Sequence, residues 1–74
     1  MDEKLIYLAE LLTDRTELIC DRIDEIRPYV KETANLCYEA EFIKKMIIEL
    51  DLPVSDEVMD ILDFIILPSR KQNN

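Results

Sequence analysis

The sequence predicts an all-α domain: an antiparallel helical hairpin plus a shorter third helix, with a homodimer completing the bundle. Three observations carry that expectation. There is no glycine among the 74 residues, which removes the residue that tight hairpin turns, phosphate-cradling loops and most left-handed helix caps require. Apolar residues recur at alternating spacings of four and three, the signature of one face of a helix. Hydrophobic residues make up 49% of the chain, the upper end of ordinary globular usage. A domain this small buries only about 60% of the surface its unfolded chain exposes, so self-association would bury the surplus.

In the first segment Leu5, Ala9, Leu12, Thr16, Ile19, Ile23 and Ile26 form the stripe, broadened by Leu8, Leu11 and Leu18. It is wider than a coiled-coil seam and suits a bundle helix. Asp2 and Glu3 complement the dipole of a first turn. The helix is expected over about 2–26, because Pro28 pushes the residue before it away from helical geometry.

The second helix is expected over 28–50, with Tyr29, Thr33, Leu36, Ala40, Ile43, Ile47 and Leu50 as its stripe and Val30, Cys37 and Met46 beside it. The link RPYVKE contains no glycine, asparagine or serine, so a single kinked helix is the competing arrangement. An interior proline costs about 3 kcal/mol, and two segments of similar length pack naturally side by side, which favours the hairpin.

The third element has the clearest start. Ser55 suits an N-cap, Asp56 and Glu57 complement the dipole, and Val54 can staple onto Met59. The helix is expected over 56–67, stopped by Pro68, with 68–74 a frayed tail and the whole of 1–74 a single domain. Val58, Ile61, Leu62 and Ile65 suit burial against the hairpin. Phe64, Ile66 and Leu67 widen the apolar arc beyond one packing face and are the expected oligomer interface.

Charge narrows the choice of partner. The formal net charge is −8 and the pI lies near 4.3, a field that repels phosphate backbones and anionic membrane surfaces. Direct nucleic-acid binding is therefore not expected, and the attractive partner is a basic surface on a larger protein. The N-terminal MDEKLIYLAELL has acids where a secretory signal needs cations, and no apolar run approaches the roughly 18 residues of a membrane span. A cytoplasmic protein with no membrane contact is the expectation.

Catalysis and cofactors find little support. Histidine is absent, and with it the commonest general base and zinc ligand. Cys20 and Cys37 read as buried free thiols, and Tyr7, Tyr29 and Tyr38 as rim packing. No metal, cofactor or catalytic residue is assigned, and the chain is not expected to be an enzyme.

One pattern stands apart. Glu10, Asp14, Glu17, Asp21 and Asp24 follow one another at spacings of four, three, four and three, which aligns them on one outer stripe of the first helix. Only Arg27 reaches this ladder at helical spacing, through Asp24. Like charges so placed cost a few tenths of a kcal/mol per pair. Asp56, Asp60 and Asp63 form a second stripe on the third helix. These eight acids are the candidate partner-binding residues. They suit a small acidic interaction module that regulates or inhibits a larger protein by occupying its basic, nucleic-acid-binding surface. The alternative is a structural homo-oligomeric bundle, or assembly scaffold, whose acids serve only solubility.

Overall fold

The computed structural model describes the backbone of residues 2–72 and the side chains of residues 2–66. Three helices follow in order, α1 (Glu3–Ile26), α2 (Val30–Leu50) and α3 (Asp56–Gln72), and each packs against the other two.

α1 starts where Asp2, in extended geometry, accepts a hydrogen bond from the Lys4 N–H at 2.9 Å, satisfying one of the helix's orphan donors. Ala9, Thr16, Ile19 and Ile23 are buried, and Leu5, Leu8 and Leu12 pack half-buried beside them. Thr16 is tolerated in this core because its hydroxyl donates to the Leu12 carbonyl at 2.7 Å, so no polar group is left unsatisfied.

The first connection is a hairpin turn made without glycine. Arg27 donates to the Ile23 carbonyl at 2.9 Å and Tyr29 to that of Ile26 at 2.7 Å. The Thr33 hydroxyl, one turn into α2, donates to the same Ile26 carbonyl at 2.9 Å. Pro28 thus belongs to the turn rather than to the second helix, which begins two residues later than the sequence suggests, with Tyr29 as an extended N-cap residue lacking a side-chain cap. Tyr29 and Val30, expected on or beside the buried stripe, are exposed in consequence. Arg15 and Glu39, at similar distances from the turn, lie against each other. That pairing makes α1 and α2 antiparallel and excludes one kinked helix.

α2 buries Thr33, Cys37, Ala40, Ile43 and Ile47. Its C-terminus closes on Asp51 at φ 51°, ψ 51°, a left-handed position that aspartate occupies more readily than most residues other than glycine. The Asp51 N–H donates to Ile48 at 3.3 Å and the Leu52 N–H to Ile47 at 3.0 Å, the two bonds of a Schellman cap, and Leu52 is buried beneath them. The expected Ser55 cap forms: the Val58 N–H lies 3.4 Å from Ser55 Oγ and 3.1 Å from its carbonyl. Val54 and Met59, the expected staple, both pack half-buried on the core.

α3 closes the core with Val58, Leu62 and Ile65, and the buried Cys37 thiol donates to the Ile65 carbonyl at 3.5 Å. Ile66 belongs to the same core at 3% exposure, which corrects its assignment to an oligomer interface. It follows Leu62 by one turn and so shares its inward face, meeting α2 beside Lys44 and Ile48. The side chain of Leu67 lies outside the described residues. α3 also continues past Pro68 to Gln72, where helix termination and a frayed tail were expected. The proline removes the bond its N–H would have made to the Phe64 carbonyl, and the helix continues across it. Among the described residues no helix is long and apolar enough to cross a membrane.

Because Asp51 is the one non-glycine residue with positive φ among those described, replacing it separates backbone strain from packing. Asp51→Gly should raise the thermal midpoint, and Asp51→Val should cost about 1–2 kcal/mol relative to wild type. Thermal and urea denaturation followed by circular dichroism check the two, and equal midpoints for all three proteins would refute this account of the cap.

Candidate interaction surface

With Ala9, Thr16, Ile19 and Ile23 turned into the core, the rotation of α1 is set, and the acids spaced three and four apart on another side of the helix must face solvent. Glu10, Asp14, Glu17, Asp21 and Asp24 are all exposed. Among the described residues the first four enter no ion pair. Asp24 accepts from Arg27 Nε at 3.3 Å, yet its side chain stays 81% exposed. From Glu10 to Asp24 the ladder covers fifteen residues, about 21 Å of helix, with one carboxylate per turn about 5–6 Å from the next.

The upper end of the ladder borders the start of α3. Glu10, Thr13 and Asp14 form one wall of an open groove of about 290 Å³, and Val54, Ser55 and Val58 form the other. Its lining brings the acids Glu10 and Asp14 together with the apolar Ala9, Val54 and Val58.

The second stripe is not equivalent. Asp63 is turned toward α2 and accepts from Lys44 Nζ at 2.5 Å, so its charge is already compensated within the molecule. Asp56 and Asp60 are exposed and enter no ion pair among the described residues. Phe64, expected at an oligomer interface, is 50% exposed, but the Arg27 guanidinium lies over its ring, 5.8 Å from the centroid, a cation–π contact that covers part of it.

Three contacts that organise this surface have no local signature. Arg15 grips Glu39 through two bonds, Nε to Oε2 at 2.5 Å and Nη2 to Oε1 at 2.8 Å. The hydrogen bond from Arg15 holds the Glu39 carboxyl below its ordinary range, and Glu39 in turn raises the Arg15 guanidinium. Lys44 with Asp63 and Arg27 with Phe64 likewise join residues far apart in sequence. Only the helix periods that bring each pair to neighbouring faces could have suggested them.

A further feature lies on α2. Tyr38 and Phe42, one turn apart, are 68% and 62% exposed on the side opposite the buried Ala40 and Ile47, where rim packing was expected for Tyr38.

No family model matches this chain, and neither a curated protein nor a solved structure shows detectable similarity to it. The chemistry of its surfaces is therefore the guide to its role.

The Arg15–Glu39 pair sets a pH dependence with a definite sign. A carboxylate whose folded pKa is lowered contributes stability above its unfolded value, near 4.5, and loses it as pH falls through the folded value. Both partners are more than a third exposed at their side chains, so Glu39→Gln should cost no more than about 1 kcal/mol at neutral pH. That difference should shrink as pH falls below the unfolded value. Paired chemical denaturations at pH 7 and pH 3 read it, and a deficit no smaller at pH 3 than at pH 7 would contradict the assignment.

Proposed function

We propose that this protein is a small acidic interaction module that regulates or inhibits a larger protein by occupying a basic surface, in its sharpest form a surface that otherwise binds nucleic acid. The single observation that carries the reading is the row Glu10, Asp14, Glu17 and Asp21, displayed at one-turn intervals with no cation spent on it among the described residues. A basic groove built for phosphates recognises regularly spaced negative charge, and a rigid helix presents that charge without first having to order it. The cost of holding like charges together, a few tenths of a kcal/mol per pair, is recovered when a partner supplies the cations.

The role is binding rather than catalysis. The acids stand on open helix faces, whereas acid–base work needs a pair of carboxyls in contrasting, partly dry environments. The competing scaffold reading gives the ladder no task beyond solubility.

Replacing Glu10, Asp14, Glu17 and Asp21 together by serine distinguishes the two. Affinity capture from cell lysate with the wild-type protein should recover a nucleic-acid-binding protein that elutes as salt rises and is displaced by duplex DNA. The quadruple variant should lose that capture while keeping its helical circular dichroism. Capture unaltered by the four substitutions, or recovery of the bait alone, would overturn the proposal.

A further inference from the structure

The outer face of α2 carries an ordered pattern of its own. Lys31, Asn35, Tyr38, Phe42, Lys45 and Glu49 follow at spacings of four, three, four, three and four, and all six are exposed. This is a heptad-like seam on the side of α2 away from the core. It is also symmetric about the level of Ala40: Tyr38 and Phe42 lie two residues to either side, Asn35 and Lys45 five, Lys31 and Glu49 nine.

We infer that this stripe is a two-fold docking surface for a second copy of the chain, with the two α2 helices packed antiparallel. Antiparallel pairing about Ala40 sets each residue opposite its complement, because a two-fold contact presents the same patch from both sides. Tyr38 of one protomer meets Phe42 of the other, twice, so that four rings form the centre of the contact in offset or edge-to-face packing. Lys31 meets Glu49 of the other copy at both ends. Asn35 meets Lys45, its side-chain carbonyl a ready acceptor for the ammonium.

The charges within the monomer are compatible with this. Lys31 enters no ion pair among the described residues, and Lys45 holds Glu49 only at 3.9 Å. Glu39, on one flank of the two-fold axis, is already neutralised by Arg15, and Glu41, on the other flank, is half-buried. A parallel pairing would align Lys31 with Lys31 and Lys45 with Lys45, so the charge order itself selects the antiparallel arrangement. Charge complementarity with its own reverse is what identifies a second copy as the occupant, since an unrelated partner places no such symmetry on the stripe. The inference stands independently of the acidic ladder. It also moves the dimer contact away from α3, where Ile66 is buried and Arg27 covers part of Phe64.

The seam extends about 27 Å, which places the contact at the small, weakly associating end of protein interfaces. Sedimentation equilibrium of the full chain over about 1–500 μM should therefore show a monomer–dimer equilibrium within that range. Lys31→Glu sets like charges against each other at both ends and should weaken the dimer by about tenfold or more. The double change Lys31→Glu with Glu49→Lys rebuilds both pairs in reverse and should return the dissociation constant to within about threefold of wild type. Phe42→Glu should abolish dimerisation. All these positions are exposed, and unchanged far-UV circular dichroism confirms the fold of each variant. A monomer at every concentration, a dimer indifferent to Phe42→Glu, or a double variant no better than Lys31→Glu alone would overturn the inference.

Discussion

The burial of Ile19, Ile23, Leu62 and Ile65 in one shared core is the constraint on which the rest of the molecule depends. Each of these side chains is worth roughly 1.5–3 kcal/mol when fully removed from water, so rotating α1 about its axis to relieve the charge on its outer face would sacrifice several of them. The like-charge penalty along the ladder is smaller by nearly an order of magnitude. The core therefore decides the orientation, and the carboxylates stand where it leaves them. Display of charge is here a consequence of packing, and any partner meets an array whose geometry is fixed before contact.

The absence of glycine shapes how three helices are joined. At the hairpin the Thr33 hydroxyl caps the Ile26 carbonyl, while at the second connection Asp51 adopts the left-handed geometry. Both solutions use a polar side chain or residue with some tolerance for the local geometry, and both bring the following helix back along its predecessor. α3 then lies against both α1 and α2, leaving the acidic stripe of α1 and the outer stripe of α2 uncovered. Those surfaces differ in chemistry, one being carboxylate alone and the other aromatic with cations and an anion. A contact made by α2 would leave the ladder of each copy free for another partner.

Much of this was legible in the sequence because it is periodic. The stripe through Ala9, Thr16, Ile19 and Ile23, its counterpart through Thr33, Ala40, Ile43 and Ile47, and the Ser55 cap all follow from local spacing and local chemistry. What escaped depends on which helix lies beside which. Asp63 reads as one rung of an acidic stripe until α2 brings Lys44 to it. Ile66 reads as surplus apolar surface until the end of α2 covers it. The start of α2 shifted because a turn without glycine consumed Pro28 and Tyr29. The outer stripe of α2 was present in the spacing of Tyr38 and Phe42, but a search for one buried face per helix passes over a second, polar-flanked one.

The most direct test of the central claim is to map where positive charge settles on the protein. Amide chemical shifts of isotopically labelled protein, followed during titration with a short arginine-rich peptide at low and moderate salt, give that map residue by residue. If the core fixes an unquenched array on α1, shifts concentrate on residues 10–24 and diminish as salt rises. Shifts distributed evenly over every exposed acid, including Glu32, Glu57 and Asp60, would contradict the account and reduce the ladder to ordinary solvated charge.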